Sequence, residues 1–149
     1  MKVYKFGGAS VRNADGVRNL RKIIDDEQNL FIIVSAMGKT TNALEKVFEG
    51  VQKGDRQLSL DNVEALRKYH AEIIDDLWRG PKRLPAVDAL FDELEKIAVE
   101  TDYKPADAEL WYDTIVAYGE LVSTTIISEY LNYAGVPNRW IDMRRCFLT

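Results

Sequence analysis

Single copies of cysteine and histidine, no block of basic residues and no long apolar run narrow the reading of this 149-residue chain. Cys146 has no second cysteine to pair with, so an internal disulfide is excluded and a reducing, cytoplasmic setting is expected. One histidine excludes a His-rich metal site. His70 lies in the charged stretch Lys68-Tyr69-His70-Ala71-Glu72, where a surface or groove histidine is expected rather than a member of a Ser-His-Asp triad. The formal charge is −4 with acids and bases interspersed, which argues against a nucleic-acid partner, since that surface needs a basic stripe. A nucleotide remains compatible, because its phosphates need only one or two cations and some backbone N–H groups. No basic-then-apolar leader is present, and no apolar run approaches the ~18 residues of a spanning helix, so no membrane partner is expected. What remains is 46% apolar and 30% charged, the balance of one soluble domain with a core.

Along the chain, Lys2 to Phe6 reads as a short strand. Asn13 is placed to cap a helix whose apolar residues Val17, Leu20, Ile23 and Ile24 recur at helical spacing, closed by Asn29. Leu30-Phe31-Ile32-Ile33-Val34 is β-branched and continuous, the pattern of a parallel strand buried on both faces. Strand, helix and strand within about 35 residues make a βαβ unit and an α/β fold. A helical block follows. Its apolar faces are Leu44, Val47, Phe48 and Val51 up to Gly54; Val63, Leu66, His70, Ile73, Ile74 and Leu77 up to Gly80-Pro81; and Val87, Leu90, Phe91, Leu94 and Ile97 after Pro85. The stretch 106–114 is ambiguous between states. A further helix is expected to start at Gly119, placing Glu120 in its first turn, and to run to Gly135. Residues 136–141 read as a third strand despite Pro137. Three strands make a narrow sheet, and the chain reaches Cys146-Phe147-Leu148-Thr149 without a closing helix.

The chemistry concentrates where strands end. In Lys5-Phe6-Gly7-Gly8-Ala9-Ser10 a cation leaves the strand and two glycines follow, so the backbone can turn tightly and show N–H groups to an anion. The plain alternative is a topological Gly turn with Lys5 reaching to water. In α/β sheets ligands gather at the carboxyl ends of parallel strands, where Lys5, Gly7, Gly8, Ser35 and Asp142 could converge. Gly38-Lys39-Thr40 looks like the tail of a P-loop, but the glycine needed five positions earlier is Ile33, inside a strand. What remains there is a hydroxyl-rich helix mouth suited to a carboxylate, or a helix merely capped by Thr40 or Thr41. Glu120 either complements a helix dipole or pairs with an ammonium group, and Asp142 has Arg144 as an ordinary ion-pair partner. Trp78, Trp111 and Trp140 read as core or interface aromatics.

Four segments taken together, Lys-Phe-Gly-Gly-Ala-Ser-Val at 5–11, Val-Ser-Ala at 34–36 with Thr41-Asn42 beyond, Tyr-Gly-Glu-Leu-Val-Ser-Thr at 118–124 and Trp-Ile-Asp-Met-Arg at 140–144, resemble aspartate kinase in order and spacing. The likeness spans nearly the whole chain and is weakest over the helical block at 50–108. It implies a three-layer αβα sandwich of the amino-acid-kinase type, with residues 1–149 as the N-terminal part of the catalytic domain and the helical block inserted. The implied reaction is ATP-dependent phosphorylation of the side-chain carboxylate of L-aspartate, with Mg²⁺ on the nucleotide, opening the route to lysine, threonine and methionine. By the same resemblance Lys5 binds the transferring phosphoryl group, with Phe6, Gly7 and Gly8 in the ATP-phosphate segment. Ser10 and Ser35 then lie near the reacting carboxylate, Thr41 binds aspartate, and Glu120 takes its α-ammonium. No metal ligand is implied among the chain's own residues. Ala9 stands where the family commonly has threonine or serine. The family's C-terminal half, with its lysine-ordering aspartate, nucleotide-holding Gly-rich segment and regulatory domains, is not in this sequence, so the chain is expected not to turn over alone. A homo-oligomer is implied for the full-length form. Two other readings stay open: a stand-alone binding or dimerisation module, and a kinase of the same superfamily acting on glutamate or UMP.

Overall fold

A computed structural model describes residues 1–145; Cys146, with the expectation attached to it, lies outside the described residues. Strand β1 (Lys2–Phe6) runs parallel to β2 (Leu30–Val34), in a register that pairs Lys2 with Leu30 and Phe6 with Val34. Between them runs α1 (Ala14–Ile24), whose N-terminus is capped as expected by Asn13: its side-chain oxygen accepts from the Gly16 N–H at 2.9 Å. Ala14, Val17, Leu20 and Ile24 bury one face of α1, while Ile23 points to solvent. The helix ends before Asn29, which instead takes a left-handed turn (φ 53°) into β2.

Two sequence expectations about the sheet are corrected. Strand β2 is not buried on both faces, because among the described residues it pairs only with β1, and Ile33 is 43% exposed. Residues 136–141 form no strand. Pro137 lacks a donor for a ladder, and Asn138 ties the segment to a helix instead. Its backbone N–H donates to Asn132 Oδ1 (3.0 Å), its amide donates to the Ser128 carbonyl (3.1 Å), and Trp140 Nε1 donates to Thr124 Oγ1 (2.8 Å). Side-chain hydrogen bonds have outcompeted a weak strand propensity.

The helical block forms as its periodicity predicts. Helix α2 (Thr40–Lys53) ends at Gly54 in the left-handed conformation (φ 67°), and Asp55 caps α3 (Arg56–Leu77) by accepting from the Leu58 N–H at 3.1 Å. These two helices approach closely because position 50 lacks a side chain: a Cβ there would lie 2.1 Å from Ser59 Oγ, which is buried and donates to the Val47 carbonyl (2.8 Å). Pro85 opens α4 (Pro85–Glu100), which packs on α3. The ambiguous stretch 106–114 is a short 3₁₀ turn (Pro105–Asp107) running into α5, a helix of 26 residues (Ala108–Tyr133). Gly119 therefore sits mid-helix and does not start one. No helix among the described residues is long and apolar enough to cross a membrane.

His70 is not at the surface. It is 1% exposed on the inner face of α3, with Nδ1 2.7 Å from the Leu66 carbonyl and its ring against Phe91. The charged flanks that suggested exposure are Lys68 and Glu72, which occupy the outer face of the same turns. Nδ1 donates to the carbonyl, so Nε2 is the unprotonated nitrogen, and it has no hydrogen-bond partner. Burial depresses the histidine pKa from 6.5 to about 4. The unfolded chain thus binds more protons than the folded one between these values. The histidine's stabilising contribution is present in full above pH 6.5 and is lost as pH falls toward about 4. Chemical denaturation from pH 7 to 4 is expected to show this slope, and His70→Leu is expected to remove it. An unchanged slope in the variant would mean that the carboxylates alone carry the acid sensitivity.

Candidate active site

Where β1 and β2 end, the chain builds two loops and binds them together. The Ser35 N–H donates to the Phe6 carbonyl (3.0 Å), extending the strand pairing by one step. The first loop then turns on itself, with Ser10 N–H donating to the Gly7 carbonyl (3.1 Å) and Val11 N–H to the Gly8 carbonyl (3.3 Å). The Gly8 carbonyl also accepts the Gly38 N–H (2.9 Å), joining the first loop to the second. Gly8 is required for this contact, since a Cβ would lie 2.7 Å from the Ala36 carbonyl oxygen. Gly7 faces open space, and the N–H groups of Gly7, Gly8 and Ala9 donate to no acceptor among the described residues. Three successive backbone donors left open beside a strand end make a concavity suited to an anion.

Lys5 and Phe6 occupy the last two positions of β1. Phe6 is core, packing edge-on to Tyr4, whereas Lys5 is exposed and has no ion-pair partner among the described residues. Ser10 is exposed on the first loop and Ser35 half-buried at the start of the second. Thr41 is exposed on the first turn of α2. Neither Thr40 nor Thr41 is the cap residue: Lys39 holds that position without a side-chain bond, and the buried Thr40 hydroxyl donates to the Met37 carbonyl (2.6 Å).

Helix α5 closes the site from a third side. Gly119 lets it approach, because a Cβ there would lie 2.7 Å from Ala36 Cβ and 3.6 Å from Thr40 Cγ2. One turn later the buried Ser123 hydroxyl donates to the Ser35 carbonyl (2.9 Å). Glu120 lies between these two contacts, exposed, and its carboxylate has no partner among the described residues. The expectation that Glu120 serves a helix dipole is therefore corrected, since the middle of a 26-residue helix carries no such field. Lys5 at the end of β1, Gly7, Gly8 and Ser10 on the first loop, Ser35 on the second, Thr41 on α2 and Glu120 on α5 thus stand on segments that touch one another. Asp142 does not extend a strand to join them. It precedes a 3₁₀ turn (Met143–Arg145), where the Arg144 guanidinium at 2.7 Å holds its carboxyl below the usual range.

Sequence reasoning missed three residues that hold these parts in place. Ser123 lies three residues after Glu120 but is buried where Glu120 is exposed, and nothing in the sequence marks its bond to Ser35. Gly38 takes φ 56°, and the Tyr69 hydroxyl occupies the place a Cβ would need. Tyr69 itself donates to the Arg12 carbonyl at the exit of the first loop. Nothing in the local sequence around Tyr69 marks that role. The described residues contain no group of three or more His, Cys, Asp or Glu side chains placed to hold a metal ion.

A strand-end lysine, an open glycine turn and a parallel βαβ start define an α/β protein with backbone donors open to an anion. The chain belongs to the amino acid kinase family, whose model matches residues 1–148. It is similar to lysine-sensitive aspartokinase 3 of Escherichia coli, at 30% identity over 99% of this chain and 32% of that protein. It is likewise 30% identical to an aspartokinase of Chlamydia trachomatis, over 99% of this chain and 31% of the relative. Among solved structures it matches E. coli aspartokinase III in complex with aspartate and ADP, with a TM-score of 0.76 at 29% identity, over 97% of this chain and 31% of that one. The mixed fold with a small parallel sheet is thus that of the corresponding part of aspartokinases. The chain spans about a third of the length of these relatives.

Proposed function

We propose that this chain forms the phosphate-facing and aspartate-binding part of an aspartate kinase, which phosphorylates the side-chain carboxylate of L-aspartate with ATP. One observation carries the reading: a cation with open backbone donors (Lys5, Gly7, Gly8) and a carboxylate beside a helix mouth (Glu120, Thr41), neither charge paired among the described residues, are held at the same strand ends. A polyphosphate fits the first set of groups and a zwitterionic amino acid the second. In the reaction a carboxylate oxygen of aspartate bonds to the γ-phosphorus, the bond to the β,γ-bridging oxygen breaks, and ADP leaves with that electron pair. Lys5 and the turn's N–H groups oppose the charge on the transferring group, which is the main requirement of a loose transition state. Ser10 and Ser35 border the reacting carboxylate. Glu120 orients the α-ammonium, and Thr41 hydrogen-bonds the substrate at the mouth of α2. Mg²⁺ would be carried by the nucleotide's phosphates, which suits a cation that keeps its waters and needs few protein ligands. We place the protein in the cytoplasm on its single cysteine, and assign residues 1–149 to the N-terminal part of the catalytic domain of a homo-oligomer.

ADP release from ATP tests this on the product of the complete coding sequence that contains these residues, with L-aspartate, L-glutamate and UMP as acceptors. Release with aspartate alone is expected, and release with glutamate or UMP, or none, would overturn it. Glu120→Gln keeps the size and removes the charge. It is expected to raise the KM for aspartate by roughly 30-fold, in line with a lost charge-assisted contact of about 2 kcal/mol, with little change in the KM for ATP.

A further inference from the structure

The proposed reaction needs the glycine turn held still, yet its own bonds are few. Two backbone hydrogen bonds lie within it and one crosses to the second loop, while Gly7 and Gly8 retain the freedom of residues without Cβ. Its exit is fixed from outside. The Tyr69 hydroxyl on α3 donates to the Arg12 carbonyl, the last one before Asn13 caps α1. A Cβ on residue 38 would lie only 2.6 Å from the same hydroxyl, so the left-handed Gly38 is seated against it. One side chain thus touches both loops. Helix α3 is itself anchored on three sides: it packs on α1, α2 and α4, and Arg18 of α1 reaches Asp76 near its C-terminus at 2.9 Å.

We propose that Tyr69 is a positioning residue for phosphoryl transfer, locking the Gly7–Arg12 turn and the Gly38 loop together so that the open N–H groups stay aimed at the nucleotide's phosphates. This inference rests on the reading of the site given above. Burial pushes the Tyr69 phenol pKa up, so the hydroxyl stays a donor throughout the neutral range. A turn that is already rigid meets its anion without an ordering cost, the general advantage of preorganised donors. Tyr69 meets the Arg12 carbonyl and Gly38 rather than Thr41 or Glu120, so its effect falls on the phosphate side. Thr41 and Glu120 are carried by α2 and α5, which have their own packing.

Tyr69→Phe removes the hydroxyl and keeps the ring. In hydrogen exchange of the 149-residue chain without ligand, the amides of Ser10, Val11 and Gly38 are expected to exchange about three- to tenfold faster, with those of α4 and the interior of α5 unchanged. Unchanged exchange at these three amides would overturn the lock whatever the protein binds. In the complete gene product the variant is expected to lower kcat and ATP affinity several-fold and leave the KM for aspartate alone. Equal losses for both substrates would reduce Tyr69 to a structural part and overturn the positioning role. Failure of the unaltered gene product to bind ATP would instead strike the reading of the site, and this inference with it; that result needs no variant, so the two failures are distinguishable.

Discussion

Replacing Lys5 with methionine is expected to lower the rate of phosphoryl transfer by about 10³-fold, the order found when a preorganised charge is removed from a transferring group. The side chain is exposed at the end of β1 and makes no ion pair among the described residues, so its removal costs the fold little, within about 0.5 kcal/mol. Methionine keeps the apolar stem and deletes only the ammonium. Loss of activity with an unchanged melting temperature therefore isolates the charge. Aspartate binding should persist, since Glu120 and Thr41 stand on helices that do not depend on Lys5. The decisive measurement is steady-state kinetics on the complete gene product beside a thermal melt. A fall of less than tenfold would move the principal phosphate-neutralising charge to another residue. A parallel collapse in the melting temperature would make Lys5 structural.

Gly119→Val is expected to cost about 3 kcal/mol of stability and to open the site as well. The nearest atom to a Cβ at 119 is Ala36 Cβ at 2.7 Å, and Leu44 Cδ1 follows at 3.2 Å. Ala36 is buried in the short connection between β2 and α2 and has no rotamer with which to move aside. In an open helix the change from glycine would gain a few tenths of a kcal/mol from propensity. Overpacking of a tight crossing costs 1–3 kcal/mol or more and wins. Relief requires α5 to move away from the second loop, which lengthens the bond from Ser123 to the Ser35 carbonyl and carries Glu120 away from Thr41. Urea denaturation and aspartate affinity should therefore decline together. A variant as stable as the unaltered chain would mean that the crossing is looser than these distances.

Much of this architecture can be read from residue order, and the failures share a cause. Local signals served well: Asn13 as a cap, Gly54 as a left-handed stop, Pro85 at a first helical position, and the buried faces of α2, α3 and α4. Errors arose where a distant partner decided the outcome. Gly119 looks like a helix start because glycine usually interrupts helices, but its purpose is close approach to Ala36, 83 positions earlier by residue number. His70 looks exposed because its neighbours are charged, although periodicity alone puts it in line with Leu66, Ile73 and Leu77. Residues 136–141 read as a strand from their apolar ends, Val136 and Trp140-Ile141, and only the hydrogen bonds of Asn138 and Trp140 to α5 show why none forms. Lys5, Gly7, Gly8, Thr41 and Glu120 stand out in the sequence, and the structure places them on segments around the ends of β1 and β2. Ser123 and Tyr69, which hold the loops those residues stand on, do not stand out.

The bond between Ser123 and the Ser35 carbonyl spans 88 positions, and with the Gly119 crossing it joins the two strands to α5. That separation has a consequence for biosynthesis. The βαβ start and the helices up to Glu100 can associate while the chain is still leaving the ribosome, since their contacts are comparatively local. The second loop must wait with its Ser35 carbonyl unclaimed until α5 has emerged. Ribosome-stalled chains ending near residue 100 should accordingly show protected helices around a site that is still open. The contact that seats α5 on the second loop can therefore form only after α5 has emerged.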